Sequence, residues 1–148
     1  MSSIVILDSG PIGLLAQRKG IAPADACRQW QRDLLASGVR VILPEITDYE
    51  VRRELLRLNS LSGLMRLDQL ATTVEYLPIT TAAMRKAAEL WAIGRQTGQP
   101  TADPKELDGD VILAAQTILL SMPDVVVATT NVGHLSRFVH ARRWQDVS

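Results

Sequence analysis

Four consecutive apolar residues, Ile4-Val5-Ile6-Leu7, are followed at once by Asp8. A run with no polar alternation reads as a strand buried on both faces, which is the condition of a strand inside a parallel sheet. Parallel strands need long crossovers, so helices must alternate with strands along the chain. The sequence supplies them. Helical spacing over 24–37 places Ala26, Trp30, Leu34 and Leu35 on one side, and Gly38 is the expected stop. Val39-Arg40-Val41-Ile42-Leu43 is the second expected strand, ended by Pro44. Helices are expected over 46–58 and 61–71, the latter with Leu61, Leu64, Leu67 and Leu70 in a row. A short strand, Val74–Leu77, precedes Pro78, and a helix over 80–96 follows. A polar loop is expected over 97–104, and Asp103-Pro104-Lys105-Glu106 reads as the start of a helix reaching about 121. Val125–Ala128 is the fourth strand, and the remainder holds a short helix and an edge strand. The expected architecture is α/β: a three-layer α/β/α arrangement around a parallel sheet of four to five strands.

At 148 residues the chain is a single domain, 1–148. Sixteen Lys and Arg balance sixteen Asp and Glu, which argues against coating nucleic acid or membranes by bulk charge. The single cysteine, Cys27, excludes an intramolecular disulfide and a cysteine-based zinc cluster. Apolar runs are too short to span a bilayer, and Met1-Ser2-Ser3 lacks the basic start of a signal peptide, so the expected location is the cytoplasm.

In an open parallel sheet, ligands bind outside the carboxyl ends of the strands. Asp8 follows the first strand directly, and Asn131 follows the last behind Thr129 and Thr130. Glu50 is expected in the first turn of the helix after the second strand, and Asp108 and Asp110 near the start of the helix before the last. Carboxylates gathered together repel and stay ionised only with a cation between them. Hard oxygen donors suit Mg²⁺ or Mn²⁺, whose chemistry is phosphodiester hydrolysis. Each residue has a second reading. Asp8 before Ser9-Gly10-Pro11 makes an Asx-turn or caps a helix; Thr47-Asp48-Tyr49-Glu50 fits a capping box; Asp108 and Asp110 enrich a first turn; Asn131 is a turn residue.

Four stretches, in order, resemble the motifs of a PIN domain, the nuclease fold of the toxin in VapBC-type toxin–antitoxin pairs. Ile6–Ile12 resembles the opening strand with its aspartate, and Leu43–Leu55 the second motif, with the acid at Glu50 rather than Glu45. Leu107–Ala115 resembles the third, with the acid at Asp110 and Asp108 as an auxiliary, and Val127–Leu135 the fourth. The departure is in the fourth, where Asn131 and His134 stand at positions that often hold an aspartate.

The resemblance implies a metal-dependent endoribonuclease. Asp8, Glu50 and Asp110 would hold Mg²⁺ or Mn²⁺ with Asp108 beside them, and Ser9, Thr129, Thr130 and Asn131 would shape the site. Arg52, Arg53 and Arg57, with Arg137, Arg142 and Arg143, are candidates for phosphate contacts or form an ordinary solvated face. The resemblance also implies an RNA substrate, an antitoxin partner and a homodimer, with Leu55, Leu56, Leu58 and the leucine row as candidate dimer surface. Two other readings stay open. One is a PIN-like domain that binds RNA or a protein without cleaving it. The other is an unrelated nucleotide-binding or phosphotransfer protein, disfavoured because Gly10-Pro11-Ile12-Gly13 fits neither GxGxxG nor the Walker pattern.

Overall fold

The structure, a computed structural model, describes residues 2–98 and 108–148. A sheet of five strands, all paired in parallel, runs in the order β3-β2-β1-β4-β5. The strands are β1 (Ile4–Leu7), β2 (Arg40–Pro44), β3 (Glu75–Leu77), β4 (Val125–Thr129) and β5 (Ala141–Arg143). The helices are α1 (Ser9–Leu15), α2 (Ala22–Ala36), α3 (Glu45–Arg57), α4 (Leu61–Thr73), α5 (Thr81–Gln96) and α6 (Gly109–Leu119). Short 3-10 turns at His134–Arg137 and Trp144–Asp146 flank β5. The expected three-layer α/β/α architecture is present.

The apolar run of β1 is buried at every position. Its odd residues, Val5 and Leu7, pack with Ile12 and Leu15 of α1, Cys27 and Leu34 of α2, and Leu67 and Leu70 of α4. Its even residues, Ile4 and Ile6, pack with Ala87 and Leu90 of α5 and Val111–Ala115 of α6. Alternation across the pleat thus divides one apolar run between two cores. Gly38, at φ +81°, ends α2 as expected; its N–H donates to the Leu35 carbonyl at 3.1 Å.

Several local expectations are corrected. Of the two readings of Asp8 the helix cap is the one found, and the helix, α1, begins at Ser9 with Pro11 in its first turn, where the missing proline N–H is no loss. Pro44 is the last member of β2, paired with Leu77, and does not lie beyond it. A terminal strand position tolerates the lost donor. α3 begins at Glu45, so Glu50 lies in its second turn and cannot close a capping box there. Thr47 is no cap either: its hydroxyl is fully buried, 3.0 Å from both the Leu7 and the Pro44 carbonyls. α6 begins at Gly109 with Asp108 as its cap; the start expected at Asp103–Glu106 and the loop beyond Gly98 lie outside the described residues.

Candidate active site

The strand order reverses direction between β1 and β4, because the chain leaves β1 for β2 on one side and returns through β4 on the other. Crossovers diverge at such a point and leave a crevice outside the carboxyl ends of the two strands. Asp8 and Thr129 stand there. The Asp8 N–H continues the ladder to the Ala128 carbonyl at 3.0 Å. Its carboxylate is held at both oxygens: Oδ1 accepts the Ser9 N–H at 2.7 Å, and Oδ2 accepts the Thr129 hydroxyl at 2.7 Å. The Asn131 N–H in turn donates to Thr129 Oγ1 at 3.1 Å. Donors on both oxygens fix the direction of the carboxylate. Asp8 therefore caps α1 and stands at the crevice at once, so capping does not take it away from that place.

α3 brings Glu50 to the same crevice. The buried Thr47 hydroxyl ties the start of α3 to the end of β1 and so fixes where that helix crosses the sheet. The Glu50 carboxylate lies against the first residue of α6: a Cβ on Gly109 would sit 2.6 Å from Glu50 Oε2. Asp108, 7% exposed, caps α6 through Oδ1, which accepts the Asp110 N–H at 3.1 Å and the Val111 N–H at 3.4 Å. Its Oδ2 is buried without a partner. Because α6 begins between Asp108 and Asp110, the cap and the first-turn acid serve one place.

The four acids share one electrostatic field. Burial, with the charges of Asp8, Asp110 and Asp108, pushes the Glu50 carboxyl up to about 7, against a smaller opposing effect of Arg53. Burial, Asp8 and Asp108 likewise raise the Asp110 carboxyl, opposed by His134 and Arg137. An all-oxygen donor set of acids that disfavour one another's charge, one with an orphaned buried oxygen, fits a hard divalent cation in its chemistry. Among the described residues, however, no group of three His, Cys, Asp or Glu side chains is arranged to hold a metal ion as it stands.

The arginines divide. Arg53 lies over the Tyr49 ring at 5.2 Å, and its charge reaches Glu50. Arg137 and His134 act on Asp110. Arg52 bonds Asp48 at 3.1 Å and Asp68 at 2.8 Å, two residues round the helix from the Glu50 side. Arg57 pairs with Glu54. Arg142 and Arg143 sit on β5 opposite Ala128 and Thr129. Thr130 is exposed and packs on α1, where a Cβ on Gly10 would lie 2.4 Å from its Oγ1. Asn131 folds back on its own turn, its Oδ1 accepting the Gly133 N–H at 3.1 Å.

Sequence reasoning missed Thr47, Gly10 and Gly109 as positioning residues. Gly109, between two acids, was visible as a place where a side chain would intrude. Thr47 carries no signal in spacing, because its partner carbonyl is forty residues away.

A sheet of this order with acids at its switch point defines a PIN-like α/β/α domain. Neither a protein-family model nor a curated protein matches the sequence. Solved structures do match the fold. A chain of VapBC2 from Rickettsia felis, bound to a DNA fragment from its promoter, shares 17% identity at a TM-score of 0.71, over 95% of this chain and 98% of that one. FitAcB from Neisseria gonorrhoeae gives 20% identity and a TM-score of 0.68, over 97% and 99%. VapC20 from Mycobacterium tuberculosis, a sarcin-ricin loop cleaving toxin, gives 19% and 0.61, over 93% and 98%. The fold of this chain is the one found in VapBC structures.

Proposed function

We propose that the chain is a metal-dependent endoribonuclease, the toxin of a toxin–antitoxin pair. The observation that carries this reading is the mutual coupling of Glu50, Asp110, Asp8 and Asp108 at the sheet's switch point, with Glu50 pushed up to about 7. Asp8, Glu50 and Asp110 would hold Mg²⁺ or Mn²⁺, with the orphaned Asp108 Oδ2 beside them. When bound, such an ion acidifies water and neutralises charge on phosphoryl oxygens. Thr129 and the Ser9 N–H keep the Asp8 carboxylate aimed. Arg53, His134 and Arg137 offset the acids and form the rim that an RNA backbone would meet. The likeness to VapBC structures supports an antitoxin partner for this chain. The exposed apolar side chains Leu56, Leu58, Leu61 and Met65 support a homodimer.

The test is cleavage of a fluorescent single-stranded RNA in Mg²⁺. Asp8→Asn keeps one acceptor, for the Ser9 N–H, turns an amide N–H toward the Thr129 hydroxyl oxygen and loses the charge, and should lower the rate about a hundredfold or more with the fold intact. Equal rates for the two proteins would remove Asp8 from the mechanism.

A second reading, binding without cleavage, is favoured by the Asn131 side chain, which is engaged in its own turn. Titrating Mn²⁺ separates the two. A specific ion raises the melting temperature of the first kind of protein and leaves the second unchanged.

A further inference from the structure

A pocket of about 400 Å³ opens between α3, β3 and the starts of α5 and α6, outside the acidic crevice. That is the size of a small-ligand site. We propose that it takes a guanine base of the RNA strand whose phosphate lies at the acids. The proposal rests on the nuclease reading for its source of ligand, though not for its chemistry.

Two tyrosines line the pocket, Tyr49 at 48% and Tyr76 at 37% exposure. Both are held. The Tyr76 hydroxyl donates to Asp48 Oδ2 at 2.6 Å, and Tyr49 lies beneath the Arg53 guanidinium. A fixed, partly exposed aromatic face is what an unstacked base rests on. The sequence contains two tyrosines, and both are here.

The charges select the occupant. Glu45 and Asp48 contribute carboxylates, while the one guanidinium on the wall, Arg52, is committed to Asp48 and Asp68. An anion such as a phosphate is repelled. A metal ion is disfavoured by the aromatic and aliphatic walls, and Asp48 already accepts from Tyr76 and Arg52. What fits is a neutral planar group rich in N–H donors. Glu45 uses one oxygen for the Ile79 N–H at 2.8 Å, and a carboxylate has about four lone-pair sites in all. Guanine presents two adjacent donors, N1–H and N2–H, to such a fork. Adenine and cytosine place a ring acceptor beside their amino group, and uracil flanks its single N–H with two carbonyls.

The pocket and the crevice are flanked by the same two helices, α3 and α6. Glu45 and Glu50 are five residues apart on α3, a rise of about 7.5 Å. Across the gap, α6 sends Ile112 to the pocket and Asp110 to the crevice.

The test titrates the full chain with guanosine and with uridine, without added metal, and follows the tyrosine ring resonances. Guanosine should shift both tyrosines saturably, with uridine about tenfold weaker. Glu45→Gln retains an acceptor for Ile79 but turns a donor toward the base, and should weaken guanosine about tenfold. Tyr49→Ala, at an exposed position, should weaken it as well. Equal responses to the two nucleosides overturn the assignment to guanine. Tyrosine signals that ignore guanosine but move on dilution of the protein overturn it in favour of a second copy of the chain. Cleavage of RNA is measured in parallel. A protein that cuts RNA without a guanosine response fails the pocket alone, and one that binds guanosine without cutting fails the nuclease reading alone.

Discussion

Glu50 is the residue at which electrostatics becomes measurable. Its carboxyl, pushed up to about 7 by burial and by Asp8, Asp110 and Asp108, binds a proton in the fold that it would lose when unfolded. The folded state thus holds more protons than the unfolded one between the ordinary carboxyl value of 4.5 and about 7, so stability falls as pH rises through that window. Without metal, the wild type should gain roughly 2–4 °C in melting temperature relative to Glu50→Gln between pH 7.5 and pH 5.5, a shift kept modest by solvent screening. Differential scanning fluorimetry checks it; parallel curves would remove the coupling. Gly109→Ala tests the same carboxylate from the other side. Alanine suits a helix, but its methyl would occupy the place of Glu50 Oε2, the mobile end of a flexible side chain. The expected outcome is a melting temperature within about 2 °C of wild type and a cleavage rate down about tenfold or more. At this scale the sequence was legible where an acid followed a strand directly, as Asp8 does. It misled where a local pattern had a local explanation: Thr47–Glu50 matches a capping box, and only the tertiary bond from Thr47 to Leu7 shows otherwise.

Among the elements, the strands were the most legible, because burial on both faces leaves an unbroken apolar run that helices rarely need. α1 was legible only through its cap, Asp8, and not through any period of its own. It has seven residues, too few for a helical period to declare itself, and a proline within. β3 is shorter still, at three residues, and its place depends on side chains. The Tyr76 hydroxyl and Arg52 converge on Asp48, 8% exposed, and join the edge strand to α3. Tyr76→Phe removes one donor from a buried carboxylate and should cost about 1–3 kcal/mol in urea unfolding. A loss of less than about 0.5 kcal/mol would show that Arg52 alone satisfies Asp48.

For the whole molecule, the two ends of the chain are stitched together. The Trp30 indole N–H on α2 donates to the Val147 carbonyl at 2.8 Å, Trp144 packs on Trp30 at 5.5 Å between centroids, and the Ser2 N–H reaches the Ser148 carbonyl at 3.3 Å. Trp144, 6% exposed, belongs to the core beside β1, and Trp144→Ala should cost about 3–5 kcal/mol by denaturant titration. Nothing in the sequence around Trp144 points to Trp30, because contacts across more than a hundred residues leave no periodic trace.

The separation of 121 positions between Asp8 and Thr129 sets a schedule. A ribosome delivers Asp8, Glu50 and both acids of α6 well before β4 emerges. Until β4 slides in beside β1, the Asp8 carboxylate lacks its hydroxyl donor and the sheet lacks the neighbour that makes a crevice. The crevice is thus completed late in synthesis, after every residue from Asp8 to Thr129 has been made.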